Sequence, residues 1–193
     1  MDIWHRRWEV LAALPAGLAI VAGVLAAALS RPSQAPETAF SWDPNGQAPD
    51  FELAAADGRV VSLAEFRGKK HVLLYFNTGL GAPPCWQQIV DLEQDGRLEA
   101  LGVQLISIMV DPPEDLAPRV RHYGLNTAVV SDRARKVCES YRVNCAGMEG
   151  KPGHSFQLIG KDGEFKWFRD YGSLMYVEVD QLYQELAQRL REG

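Results

Sequence analysis

Sulfur chemistry in this chain rests on three cysteines, Cys85, Cys138 and Cys145. Cys85 closes the stretch Thr78-Gly79-Leu80-Gly81-Ala82-Pro83-Pro84-Cys85, a loop of small residues and two prolines that runs into a helical pattern. Proline suits the first helical position, where its missing N–H is not needed. The thiol therefore falls in the first turn of a helix. Unpaired N–H groups and partial positive charge at a helix start favour a thiolate and are expected to lower the cysteine pKa. Cys85 is the candidate nucleophile, with sulfenic acid or mixed disulfide as its expected oxidised states. Trp86 is a candidate wall of the site or plain packing. Thr78 is a candidate hydrogen-bond donor to substrate or thiolate, or a hydroxyl that satisfies the local backbone.

The other two cysteines carry alternatives. Cys138 lies in a helical pattern over residues 133–141 and shares a face with Ala134 and Tyr141, which reads as a core thiol. Cys145 lies in a loop. It is a candidate to resolve an oxidised Cys85 or to pair with Cys138, six residues intervening, which is long enough for a bridge. His154 precedes a strand whose start belongs near the Cys85 loop. It is a candidate general base, thiolate partner or metal ligand, or a surface histidine. Asp111, Glu114 and Asp115 read as an acidic helix start rather than a metal site. Three cysteines form no paired zinc motif, and no metal or other cofactor is expected.

These residues need elements to hold them. The apolar run 71–76 reads as a strand covered on both faces, and it delivers the chain to the Cys85 loop. A helix follows over 84–101, with a break at Gly96, then a strand over 102–110. A helix to Tyr123, a short strand at 128–130 and the Cys138 helix come next. Strands at 155–159 and 164–168 flank Gly160-Lys161-Asp162-Gly163 as a hairpin, and a final helix spans 177–191. An earlier hairpin turns at Asp57-Gly58. Strand–helix alternation with hairpins indicates an α/β sandwich around a mixed sheet, whose working site lies at the carboxyl end of a central strand. Cys85 falls there.

Of the 193 residues, Val10 to Leu29 form a run of 20 without a charge. That length spans a bilayer as a helix. His5, Arg6 and Arg7 precede it, which places the N-terminus in the cytoplasm and the remainder outside; the rival reading is a cleaved signal peptide. Residues 1–30 are thus expected to be cytoplasmic N-terminus and anchor, 31–47 a Pro-rich linker, and 48–193 the folded domain. The lipid bilayer is the first expected partner. The net charge is −5 and no basic stripe is present, which argues against nucleic acid.

Ala48-Pro49-Asp50-Phe51, Leu73-Leu74-Tyr75-Phe76, Cys85 nine positions after Phe76, and Phe156-Gln157-Leu158-Ile159-Gly160-Lys161-Asp162-Gly163 carry a resemblance. Over residues 48–190 the chain resembles the thioredoxin-fold peroxiredoxins of the alkyl hydroperoxide reductase/thiol-specific antioxidant family, and the membrane-tethered redoxins. The resemblance implies a thioredoxin-like fold, a peroxidatic Cys85, a peroxide substrate and a thiol or disulfide partner protein. It also shows departures. The family's helper proline, threonine or serine, and arginine are replaced by Thr78, Ala82 and Gly153. Ala82 also stands where a thioredoxin Cys-x-x-Cys would begin, so no local dithiol couple can close. Peroxide reduction and thiol–disulfide exchange both remain open, beside a disabled binding or scaffold protein. The place of His154 is similar to that of the histidine in Sco-type copper chaperones, which gives copper handling as a lesser alternative.

Overall fold

The computed structural model describes residues 46–145 and 150–192. The chain divides into residues 1–40 and 41–193; the segment 10–29 expected to be an anchor and most of the expected linker lie outside the described residues. Among the described residues no helix is long and apolar enough to cross a membrane.

Two apolar strands set the architecture. β3 (His71–Phe76) and β4 (Val103–Met109) are parallel and in register from His71↔Val103 to Phe76↔Ile108. On one side β4 pairs in parallel with β5 (Ala128–Ser131), and β5 pairs antiparallel with β1 (Glu52–Ala55), the partner of β2 (Val60–Ser62). On the other side β3 pairs antiparallel with β6 (Ser155–Ile159), and β6 with β7 (Phe165–Asp170). The result is one mixed seven-stranded sheet in the order β2-β1-β5-β4-β3-β6-β7. The folded part begins ahead of Ala48, since the Phe165 N–H donates to the Gly46 carbonyl at 3.0 Å.

Strand side chains alternate between faces, so β3 feeds two cores. Leu73 and Tyr75 point to one face, where they meet α1 (Pro83–Asp95), α3 (Pro113–Tyr123) and α5 (Val179–Glu192) through Trp86, Ile89, Leu116, Leu182 and Leu186. Val72, Leu74 and Phe76 point to the other, against Phe51, Leu63, Val137, Cys138 and Tyr141.

Several boundaries differ from expectation, each for a local reason. The helix after Cys85 ends at Asp95. Gly96 takes φ 73° as its left-handed cap, and a separate short α2 (Arg97–Ala100) follows. The Cys138 helix, α4, is only Lys136–Ser140 rather than 133–141. The Asp132 carboxylate reaches past the preceding residues and accepts the Cys138 N–H at 2.7 Å, while Arg135 turns left-handed at φ 58°. Such side-chain bonds compete with helix. The last helix starts at Val179, not at 177, and the Val177 N–H ahead of it donates to the buried Gln88 Oε1 at 2.7 Å.

Candidate functional site

The site is built by the turn that leaves β3. Asn77 is fully buried and braces that turn, donating through Nδ2 to Ser107 Oγ at 2.9 Å and accepting the Gly79 N–H at 3.1 Å. Gly79 adopts φ 77°, and a Cβ there would run into the Asp111 carboxylate. That close approach lets Asp111 accept the Leu80 N–H at 3.2 Å while its other oxygen pairs with Lys151 Nζ at 2.8 Å. The loop is thereby pinned from the strand, from the β4–α3 connection and from the segment before β6. Pro83 and Pro84 then open α1, and Cys85 occupies its first turn.

The placement in the first helical turn agrees with expectation, but the direction of the pKa shift does not. Cys85 is 0% exposed. Burial pushes its thiol above the ordinary range. The Tyr75 hydroxyl, the Thr78 backbone and its own backbone pull it only part of the way back. The side chain points into the core beneath the sheet's α1 face rather than along the helix axis towards solvent.

Tyr75 is the functional neighbour that sequence reasoning missed. Its ring stacks on Phe156 with centroids 4.4 Å apart, and its hydroxyl lies against Cys85 and 3.1 Å from His154 Nδ1. Its own pKa is driven well up by burial first, with the Cys85 charge and contact adding to this. A signal was available: in β3, Tyr75 shares its face with Leu73, two residues away, and that face is the one covered by the Cys85 helix.

His154 is no surface residue. It is 2% exposed, and burial lowers its pKa to about 4, with the Met175 backbone working slightly against this. Its backbone is held on both sides: it donates to the Gly172 carbonyl at 3.3 Å and accepts from the Tyr171 N–H at 2.8 Å. Thr78 spends its hydroxyl on the Pro152 carbonyl at 3.2 Å, so it closes the loop rather than facing the thiol through its side chain. Trp86 donates Nε1–H to the Gly79 carbonyl at 3.2 Å and stacks on Tyr123 at 5.8 Å, so it is both packing and loop anchor.

Cys138 and Cys145 are joined in a disulfide, with Cα atoms 6.0 Å apart. Cys138 belongs to the core on the face opposite Cys85. The structure thus gathers Cys85, Tyr75, His154, Thr78 and Trp86 at the carboxyl end of β3 and leaves the other two cysteines across the sheet. Among the described residues no three His, Cys, Asp or Glu side chains gather as a metal site.

A buried thiol at a helix start beyond the central strand of a mixed sheet defines a thioredoxin-like fold. Residues 44–168 match the AhpC/TSA family model, and the chain belongs to that family. A putative peroxiredoxin of Mycobacterium tuberculosis (strain H37Rv) is 35% identical over 99 residues, 51% of this chain and 62% of the relative. The peroxiredoxin Bcp of Escherichia coli K12 is 35% identical over 97 residues, 50% of this chain and 62% of the relative. The chain thus matches about three-fifths of the length of these relatives. Among solved structures, the peroxidoxin BcpB of Mycobacterium tuberculosis has a TM-score of 0.65 at 18% identity, covering 77% of this chain and 96% of its own. Enterococcus faecalis AhpC has a TM-score of 0.68 at 16% identity, covering 77% and 94%. These structures share the fold.

Proposed function

We propose that this protein is a thiol peroxidase in which Cys85 attacks the peroxide. The sulfur forms a bond to one peroxide oxygen, the O–O bond breaks, and the other oxygen leaves as water or alcohol with the thiol proton. Cys85 becomes a sulfenic acid. The observation that carries this reading is the Cys85 thiol held at the first turn of α1 against the Tyr75 hydroxyl, within the region that matches the AhpC/TSA family. Likeness to peroxiredoxins over that region favours peroxide over disulfide exchange, and Ala82 removes the second cysteine that a local exchange couple needs.

Cys138 and Cys145 are bonded to each other on the far face, so the sulfenic acid is reduced by a thiol from another molecule. Because Cys85 is enclosed, the loop over residues 78–82 opens to admit the peroxide. The same reading keeps the domain outside the cytoplasm, tethered to the bilayer by residues 10–29. The Cys138–Cys145 disulfide supports that location, since disulfides persist in oxidising compartments.

The test adds stoichiometric hydrogen peroxide to the full chain and follows Cys85 by sulfenic-acid trapping and mass spectrometry. Oxidation well above the rate of a free thiol, lost in Cys85→Ser, is expected. A rate no greater than that of a free thiol removes the peroxidase reading.

A further inference from the structure

We propose that Asp111 and Lys151 are positioning residues: their ion pair latches the loop over Cys85, and the share of molecules with the latch undone sets how fast the thiol meets its oxidant. This rests on the peroxidase reading for the identity of the oxidant, but not for the latch itself.

Asp111 follows β4 and is held from behind, its backbone carbonyl accepting the Ser131 hydroxyl of β5 at 2.7 Å. The Asp111 and Lys151 side chains are only 10% and 20% exposed. One carboxylate oxygen accepts from Lys151 Nζ at 2.8 Å, and the other accepts the Leu80 N–H at 3.2 Å. The loop is shaped to receive it. Thr78 is right-handed at φ −69° and Gly79 left-handed at φ 77°, a pairing that turns successive backbone N–H groups towards an anion. Asn77 Oδ1 takes the Gly79 N–H, and the Asp111 carboxylate takes the next one. The anion in this concavity is therefore the chain's own side chain.

The segment before β6 meets the loop at two consecutive residues. Lys151 acts through Asp111, and the Pro152 carbonyl accepts the Thr78 hydroxyl at 3.2 Å. On the helix side, the Gly79 carbonyl accepts Trp86 Nε1–H at 3.2 Å. Of these three ties, the one through Asp111 carries charge, and charge-assisted bonds are the stronger kind. Its two halves depend on each other. Without Lys151, a mostly buried carboxylate loses the counter-charge it is bonded to, which is costly. It then turns to water or takes a proton, and the Leu80 bond is lost or weakened either way. Residues 80–82 are freed to lift from Cys85, whose own N–H donates to the Ala82 carbonyl at 3.0 Å.

With the loop closed, Cys85 is 0% exposed. Reaction passes through the open state, so at low reagent concentration the observed rate is the open fraction times the rate of the exposed thiol. The latch changes the first factor only. Reagents of unlike chemistry must therefore speed up by the same factor when the latch is weakened.

The test measures alkylation of Cys85 by iodoacetamide and its oxidation by hydrogen peroxide in the full chain at pH 7. Cys85 is the free thiol and the other two cysteines are bridged, so alkylation reads Cys85 alone. The proteins are wild type, Lys151→Met, Lys151→Arg, Asp111→Asn and Asp111→Asn/Lys151→Met, with urea unfolding of each. Methionine keeps the apolar stem and removes the charge. Lys151→Met should raise both rates by one shared factor, about tenfold or more, the scale of a hydrogen bond to a charged group. Lys151→Arg, which keeps the charge, should recover most of the wild-type protection. In the Asp111→Asn background, Lys151→Met should add little, because the two partners act as a unit. Unchanged rates in Lys151→Met, a rise confined to one reagent, or a rise no larger than the loss of global stability accounts for overturns the latch. Wild-type oxidation no faster than that of a free thiol removes the peroxidase reading alone, and a shared factor in Lys151→Met still upholds the latch.

Discussion

Reducing the Cys138–Cys145 disulfide should destabilise the domain while leaving Cys85 chemistry intact. The bridge closes a loop of eight residues, counting both cysteines. The chain-entropy relation gives about 8 cal/mol/K for that loop, or about 2.5 kcal/mol at 25 °C. The local structure makes the cross-link matter. α4 has five residues, too few to form a stable helix alone, and it is held by Val137 and Cys138 in the core and by the Asp132 bond to the Cys138 N–H. Urea unfolding of the full chain with and without a thiol reductant isolates the cross-link, because both sulfur atoms remain. For a domain of this size the loss corresponds to a fall in Tm of about 5–10 °C. Unfolding midpoints that do not move on reduction would refute the entropy argument. The functional half of the prediction uses Cys138→Ala/Cys145→Ala. Its Cys85 should be oxidised at the wild-type rate, and its sulfenic acid should persist as long as that of wild type when no external thiol is present. If the wild-type sulfenic acid disappears and that of the double variant does not, the two sites communicate and the separation by sheet face is wrong.

Two further perturbations follow from the same geometry. Gly79→Ala forces a side chain into a left-handed position and against the Asp111 carboxylate, which should cost at least about 1–3 kcal/mol in urea unfolding and expose Cys85 to alkylation; wild-type stability with an unreactive Cys85 would contradict the role given to that turn. His154 carries a pH dependence of definite sign: its folded pKa, about 4, lies below the ordinary value of 6.5, so the unfolded chain takes up a proton first and stability falls as pH drops from about 6.5 to 4, by about 3 kcal/mol, a fall that His154→Asn should abolish and that an unchanged pH profile in the variant would disprove.

Much of the fold was legible because β3 and β4 are apolar at every position from residue 72 to 76 and nearly so from 103 to 109. Such strands are covered on both faces, and the glycines at 58, 68, 96 and 163 mark turns that the structure places at positive φ. The Cys138 helix was less legible. The Asp132 carboxylate bonds to a backbone N–H six residues on, an interaction that spacing alone does not announce. The pairing of Cys138 with Cys145 was one of two open alternatives. What separates them is the sheet face, and that follows only from how α4 packs. The placement of His154 was not visible either. Pro152, whose carbonyl accepts the Thr78 hydroxyl, precedes it, and His154 meets Tyr75 on the sheet face opposite Cys138.

The reading that reversed is the charge state of Cys85, and the magnitudes say why. The partial charge of a helix start is worth about 0.3–1 kcal/mol, less than the roughly 1.4 kcal/mol that moves a pKa by one unit. Full burial of an ionisable group moves it by up to about 3–5 units. A helix start therefore lowers a thiol pKa only while the sulfur keeps some contact with water or with other charge. The sequence gives the position of Cys85 in the helix but not the direction of its side chain, and the two prolines before it fit either direction. Once the thiol points inward, the helix start cannot ionise it alone. Within the enclosed site the Tyr75 hydroxyl is the side-chain group that works against this burial, and it is itself hydrogen-bonded to His154 Nδ1 at 3.1 Å.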